Sequence, residues 1–535
     1  MASHVAVYAD RWFLHSFHGR IMADTLNKSP NTSVAKGAGL TFLGRLGAVI
    51  ELLSVVLLAQ TYGAESYGIF LLFWGYIFLT SSFTNLGMVA VLQRFVPGAK
   101  DEHEAHSYLK IALTVTLTLS LIFCVITFIA APVLSPYINA GQEKQQAITD
   151  IVRIYIWTLP LWCLVEIATG AVRARHAFGA EIRLRIFYEQ FLRIVLAMVF
   201  YFLGQDTFGL YLAHLCSLFI TMLLSLRLLG RFYDVSLIFR TSWQSDILGH
   251  AISYGIPMMI SLATQRLYSN LPLFFLNAFL PGVRGAEAVA LYGVARKIVS
   301  VLHVIRQVFS YVLSPLAAAI HAGENKENVQ VIYAFSTRLI CSIFIPIATF
   351  IVIFRHDILG LAGHDFVAAG SVLLILTIGR GAEALTGPAN AIIDVIGRYR
   401  IPLINSFSGL SVACVLMAIL VPQYEMAGAA VAAVIGLNVT SLLAFFILYL
   451  RFDLQPYDHR IVRPVLSAAL FSASLFLVDI LTHDLLTAWR LGIGLSTLLL
   501  ILFLLYHYGF DFQDRRSLGK GPRLEKKKQT NKSSK

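Results

Sequence analysis

Between Ile111 and Ala131 the chain runs for 21 residues without a charged side chain. About 20 apolar residues wound into an α-helix at 1.5 Å per residue cross the roughly 30 Å of hydrocarbon in a bilayer. Apolar windows of this kind, closed by charges, glycines or prolines, recur along the sequence. They lie near residues 38–60, 69–92, 109–131, 151–172, 186–203, 208–229, 249–272, 289–313, 337–354, 367–391, 401–421, 426–450, 462–481 and 487–508. The pattern predicts an all-α polytopic membrane protein with about 14 transmembrane helices. Composition agrees: of 535 residues, 57% are hydrophobic and 13% charged, against about 25% charged in an average soluble domain.

Loop charges test the count independently. With the N-terminus in the cytoplasm the even-numbered loops are cytoplasmic, and these carry Arg94 and Lys100; Arg173, Arg175, Arg183 and Arg185; Arg227, Arg231 and Arg240; Arg398 and Arg400; Arg451, Arg460 and Arg463. The odd loops carry Lys144, Arg153, Arg284, Arg355 and Arg490. This alternation follows the positive-inside rule and places both termini in the cytoplasm, since one missed helix would reverse the bias downstream of it. The net charge of +12 reflects the same loops and the tail from Arg515 to Lys535. That tail, residues 509–535, reads as a cytoplasmic anchor for anionic headgroups, and no nucleic-acid partner is implied. The segment 1–37 has no apolar core before a small-residue cleavage site, so it does not read as a secretory signal; Arg11, Trp12, Phe13, Phe17 and Arg20 suit a surface helix, and a start at Met22 is the other reading.

The loops are short, which leaves no room for a soluble catalytic domain. All five cysteines lie in apolar segments without metal-ligand spacing, so neither a disulfide framework nor a metal site is expected. No nucleotide-binding, hydrolase or metalloprotease motif occurs. A non-enzymatic protein without a cofactor is the expectation.

A repeat divides the chain. Gly63-Ala-Glu-Ser-Tyr67-Gly68 is echoed in Gly285-Ala-Glu-Ala-Val-Ala-Leu-Tyr292-Gly293, and Glu166-Ile-Ala-Thr169-Gly170 in Glu383-Ala-Leu-Thr386-Gly387. Both echoes are six helices apart. An even offset gives two halves of the same membrane orientation, related by a pseudo-two-fold axis along the membrane normal, an arrangement that places substrate between the halves. The predicted organisation is a six-helix lobe at 38–230, a second at 249–450, and two extra helices at 462–508.

A charge at the bilayer centre costs about 2.5–3.5 kcal/mol on insertion scales, so each needs a reason. Arg45 and Glu51 fall in the first window, Glu166 in the fourth, Arg266 in the seventh, Arg296, Lys297 and Arg306 in the eighth, and Arg380, Glu383 and Asp394 in the tenth. Arg45 precedes Gly63 by 18 residues and Arg266 precedes Gly285 by 19, so the two are near-equivalent and are expected to face one axis. Tyr292, Arg296, His303, Arg306 and Ser310 recur at steps of three, four or seven and share one side of a helix. Structural roles compete with these: Lys297 can snorkel, Glu51 can pair with Arg45, Glu166 with Arg173, and Arg380 with Glu383 and Asp394.

Ser33-Val-Ala-Lys-Gly37-Ala-Gly39, Tyr62-Gly-Ala-Glu-Ser-Tyr67-Gly68, Asn85-Leu-Gly87 and Gln93-Arg94-Phe95-Val96-Pro97 resemble the opening of the polysaccharide-type (Wzx-like) flippases of the multidrug/oligosaccharidyl-lipid/polysaccharide exporter superfamily. Tyr254-Gly255-Ile-Pro257 and Leu291-Tyr292-Gly293-Val-Ala295 resemble its second half. The resemblance implies alternating access around a cationic cavity and flipping of polyprenyl-pyrophosphate-linked oligosaccharide across the bacterial cytoplasmic membrane. It further implies substrate contacts at Arg45, Arg266 and Arg306. The residue pattern itself adds Arg296, His303, Tyr292 and Asn85 as further substrate contacts, and Glu166, Glu383, Arg380, Asp394 and Glu51 as coupling or ion-pairing groups. Lipid-linked saccharide and membrane lipid are the expected partners, with the glycosyltransferases and polymerase of the same pathway. A multidrug antiporter of the same superfamily is the alternative, and a membrane-embedded glycosyltransferase or polymerase stands further off.

Overall fold

The computed structural model describes residues 47–175, 177, 184, 188–206, 208–241, 245–321, 326–396, 400–512 and 514–515. Regular structure among them is helical throughout. In hydrocarbon no water meets a backbone N–H or C=O, and a helix satisfies both within one segment.

The first half of the chain forms α1 (Gly47–Thr84), α2 (Met88–Phe95), α3 (Glu102–Leu134), α4 (Gln142–Tyr155), α5 (Thr158–Ala174), α6 (Glu189–Phe202) and α7 (Gly209–Leu229). The short α8 (Val235–Arg240) leads to the second half. That half forms α9 (Ser245–Phe279), α10 (Val283–His321), α11 (Lys326–Ile353), α12 (Arg355–Gly360), α13 (Gly370–Leu385), α14 (Ala389–Ile396) and α15 (Arg400–Phe452), followed by α16 (Val462–Thr482) and α17 (Thr487–Leu504).

Eleven stretches of the described residues are long and apolar enough to cross a membrane. Two of them hold a pair of crossings each. α1 turns at Gly63, whose φ of +76° suits a residue without Cβ, and α15 turns at Glu425 with φ +48°. After its turn α15 packs on itself: a Cβ on Gly428 would lie 2.2 Å from the Leu420 carbonyl oxygen, and Gly409 and Gly436 each face the other's carbonyl. With α6 packed along α7 in the place of the fifth window, the helices correspond to the fourteen windows.

Three windows are broken where apolarity continues. The second is interrupted at Asn85–Gly87, where Leu86 and Gly87 take φ of +45° and +70°, between α1 and α2. A Cβ on Gly87 would sit 2.2 Å from the Gly255 oxygen, and one on Gly255 would sit 2.4 Å from the Leu86 oxygen. Backbone meets backbone there because neither residue carries a side chain. The fourth window breaks between α4 and α5, two residues before Pro160, and the tenth at Thr386–Pro388, where Gly387 has φ +60°.

The two halves meet along α1, α9 and α10. Gly68 of α1 faces Ala286 and Ala290 of α10, and Gly293 of α10 faces Leu71 of α1, a small-residue contact of the kind that packs helices closely in lipid. Tyr67 and Tyr292, the matched tyrosines of the repeat, are both buried beside it. α9 continues this seam from Gly255 at one end to Asn277 at the other. Asn277 exchanges three hydrogen bonds with Asn139: its Oδ1 accepts from the Asn139 N–H (3.1 Å), its carbonyl from Asn139 Nδ2 (2.6 Å), and its Nδ2 donates to the Asn139 carbonyl (2.8 Å).

The last two helices pack on α11 and are pinned at both ends by arginines. Arg338, 3% exposed, holds Asp458 in a bidentate pair (2.8 and 2.6 Å) and Asp514 at 2.6 Å. At the opposite end Arg490 bridges Asp357 (3.0 Å) and Asp479 (2.7 Å).

Two glycine substitutions separate backbone strain from collision. Gly63→Ala meets nothing within 4 Å and should cost only the backbone strain of its φ +76°, ψ 168° conformation, about 1–3 kcal/mol. Gly87→Ala adds a clash with Gly255 and should lower the thermal midpoint of the purified protein well beyond Gly63→Ala. Equal midpoints would remove the α2–α9 contact as a constraint.

Candidate functional site

Two clusters of intramembrane charge form around the matched glutamates of the repeat. In both, the threonine three residues on turns its hydroxyl back to the glutamate's own carbonyl, Thr169 at 3.3 Å and Thr386 at 2.8 Å. Both carboxylates are buried, Glu166 at 7% exposure and Glu383 at 2%.

The first cluster spans α1, α5 and α9. Arg266 of α9 donates from Nη2 to Glu166 Oε1 at 2.6 Å and from Nη1 to the Phe78 carbonyl at 2.9 Å and to Ser81 Oγ. Its guanidinium carbon lies 4.1 Å from the centre of the Phe78 ring, a cation–π contact. Asn85 donates from Nδ2 to Glu166 Oε2. Beside them Thr84 Oγ1 and Cys163 Sγ lie 3.2 Å apart. Two polar atoms in this buried group, Arg266 Nε and Asn85 Oδ1, have no hydrogen-bond partner.

The second cluster lies between α10, α11 and α13. Glu383 Oε2 accepts from Arg380 Nη1 at 2.6 Å, and Arg306 Nη2 forms an ion pair with the carboxylate, 2.8 Å from Oε1. His303 Nδ1 is 3.5 Å from Arg380. These four side chains line a small cleft with Leu302, Ile340, Phe344 and Ala384. About two turns along α10 from His303, Arg296 donates to the Ser269 carbonyl of α9, and Tyr292 is buried within electrostatic reach of Arg296 and Arg380. Tyr292, Arg296, His303 and Arg306 thus form the side of α10 that the spacing predicts, turned to α9 and α13 rather than to lipid.

A third group joins α1, α6 and α10. Glu51 pairs with Lys297, and the charges of Arg193 and Arg296 reach the same lysine. Arg193 of α6 is 8% exposed and donates to Ser54 Oγ of α1 at 3.4 Å and to Gln190.

Several expectations change. Arg45 lies outside the described residues, so its convergence with Arg266 is not part of this geometry. Arg266 is engaged by Glu166, Ser81 and Phe78 instead of standing as a free cavity cation. Glu166 pairs with Arg266 and not with Arg173, because α5 turns that carboxylate toward the seam with α9. Glu51 meets Lys297, on the neighbouring helix across the α1–α10 contact. Asp394 stays out of the Arg380–Glu383 pair: it sits exposed on α14, beyond the break at Gly387, where the charge of Arg306 still reaches it. Asn85 contacts Glu166, as a donor to the carboxylate. Arg193 is a residue the sequence reading passed over, although an arginine inside the window 186–203 is itself the signal. No group of three or more His, Cys, Asp or Glu among the described residues is arranged to hold a metal ion.

A family model described as polysaccharide biosynthesis protein matches residues 34–321, and a second, MatE, matches residues 257–420. No curated protein matches the chain. Among solved structures, the lipid II flippase MurJ in an inward closed conformation superposes with a TM-score of 0.67 at 12% identity, covering 88% of this chain and 99% of its own. An inward-facing multidrug resistance MATE family transporter of the MOP superfamily gives 0.64 at 18% identity, covering 76% and 94%. A MOP superfamily transporter from Pyrococcus furiosus, described as having a binding pocket of reverse polarity, gives 0.56 at 18%, covering 80% and 97%. At these identities the likeness is one of fold.

The buried pairs should be coupled. Glu383→Gln leaves two guanidiniums facing each other and should cost about 3–5 kcal/mol, the scale for stranding a buried charge. Glu383→Gln combined with Arg380→Gln should recover part of that loss in a double-mutant cycle on thermal stability; strictly additive losses would show that the contact carries no energy. Since the first family match covers more than half of the sequence, the chain belongs to the polysaccharide biosynthesis protein family.

Proposed function

We propose that the protein translocates polyprenyl-pyrophosphate-linked oligosaccharide from the inner to the outer leaflet of the bacterial cytoplasmic membrane during surface or extracellular polysaccharide biosynthesis. The observation that carries this reading is the sign of the α10 stripe. Arg296 and Arg306 stand there with Arg380 of α13 facing them, against Glu383, while Glu51 is taken up by Lys297 and Asp394 is more distant on α14. A diphosphate suits such a surface, because a guanidinium stays charged and donates several hydrogen bonds from a planar fork. An antiporter for cationic drugs needs the opposite excess.

In this mechanism the diphosphate docks on Arg296, Arg306 and Arg380, the hydrated sugars rest against His303 and neighbouring polar groups, and the polyprenyl tail stays in lipid. The lobes 38–230 and 249–450 rock about their common seam and carry the site from one leaflet to the other, while helices 462–508 ride with the second lobe through Arg338 and Arg490. The basic ends of the helices face the cytoplasm, as do both termini. Moving about two negative charges outward across 100 mV of inside-negative potential is favourable by roughly 4–5 kcal/mol. The class of enzymes that builds the saccharide on its lipid works upstream, and a polymerase consumes the product.

In proteoliposomes loaded with a labelled polyprenyl-pyrophosphate oligosaccharide, Arg296→Ala and Arg380→Ala should each slow translocation by roughly tenfold or more, the loss of one charge-assisted hydrogen bond of about 1.5–3 kcal/mol. Arg463→Ala, at an exposed pair with Asp511, should leave the rate unchanged. Normal translocation by the combined Arg296→Ala/Arg380→Ala variant would end the stripe as the docking site. Reporter fusions at Arg231 and Arg355 should report cytoplasm and exterior respectively; the reverse assignment would invert the proposed direction.

A further inference from the structure

The matched glutamates find their arginines differently. Glu383 is satisfied within its own half, by Arg380 of α13 and Arg306 of α10. Glu166 receives from its own half the neutral amide of Asn85, while its ion pair comes from the other half, Arg266 of α9. Every further contact of that guanidinium, the Phe78 carbonyl, Ser81 Oγ and the Phe78 ring, also belongs to the first half. Arg266 is therefore a bolt driven from the second half into the first at mid-length of the α9 seam, between the Gly87–Gly255 contact and the Asn139–Asn277 bonds. Any rocking that parts α9 from α1 must withdraw it.

Withdrawal leaves Glu166 with the amide of Asn85 and leaves the arginine with no counter-charge unless another anion replaces the carboxylate. Arg266 Nε is buried without an acceptor, as is the Nε of Arg193, Arg338 and Arg490; what sets Arg266 apart is that its carboxylate, its hydroxyl and its aromatic partner all belong to the other half.

We propose that Glu166 is an internal counter-anion for Arg266, holding the halves together while the transporter is empty and giving up the arginine when an anionic diphosphate group arrives. This rests on the reading that the cargo carries a diphosphate. Empty cycling is then suppressed, because without cargo the arginine has no second partner to move to.

The test uses the purified full chain in lipid nanodiscs with inorganic pyrophosphate as the probe, read by calorimetric titration and by thermal midpoint. Glu166→Gln should lower the midpoint of the empty protein, bind pyrophosphate roughly tenfold more tightly than the unsubstituted chain, and recover its midpoint on binding. Asn85→Ala, which keeps the ion pair but removes the donor that would satisfy the carboxylate once the arginine leaves, should bind pyrophosphate several-fold more weakly than the unsubstituted chain, and it decides the matter if Glu166→Gln does not fold. The gain should vanish in Glu166→Gln/Arg266→Gln. If folded Glu166→Gln binds pyrophosphate no better than the unsubstituted chain, or Asn85→Ala binds it no worse, the counter-anion role is overturned; the flippase reading survives that result as long as lipid-linked saccharide is still translocated. A gain in affinity in a protein that translocates no lipid-linked saccharide would keep the anion exchange and overturn the saccharide.

Discussion

A charged side chain in hydrocarbon is tolerated only where another charge or a dipole meets it. Around this constraint the interior of the protein is arranged. Arg266 finds Glu166, Arg306 and Arg380 find Glu383, Lys297 finds Glu51, and Arg338 and Arg490 each gather two aspartates. Each pair also fixes which helices are neighbours. Packing between helices in lipid has little hydrophobic drive of its own, so these few contacts, with the glycine-lined crossings, decide the arrangement.

The pairs fall into two kinds. Arg338 and Arg490 lie at the ends of the helices and join the last two crossings to α11 and its flanks, so that appendage has no separate freedom. Glu383 with Arg306 and Arg380 is also internal to the second half. Arg266 with Glu166, and Lys297 with Glu51, instead cross between halves. A rigid second half and a breakable seam follow from this distribution.

Much of the fold could be read in advance, and its limits have physical causes. Hydrocarbon thickness sets a length that apolar windows must meet, which is why the crossings and the repeat of Glu166 and Glu383 were visible. The polar side of α10 was visible too, since Arg296, His303 and Arg306 share a helix and their spacing alone aligns them. The breaks at Asn85–Gly87 and Thr386–Pro388 were hidden because apolarity does not change across them. The partner of Arg266 was hidden because 100 residues separate it from Glu166 and nothing in one helix records the axial position of another. For the same reason nothing in the sequence around Arg193 points to Ser54, and nothing around Arg338 to Asp458 and Asp514.

The reciprocal glycines carry a consequence for how such a chain can evolve. At Gly409 and Gly436 each residue faces the other's backbone oxygen, and at the other crossing Gly87 faces the Gly255 oxygen while Gly255 faces that of Leu86, the residue before Gly87. A crowded leucine can be accommodated when its neighbour mutates to something smaller, but glycine has no smaller substitute. Neither member of such a pair has a compensating change available in the other, so the two crossings are closed to the gradual exchange by which most helix contacts drift, while the charged residues around them remain free to trade places in pairs.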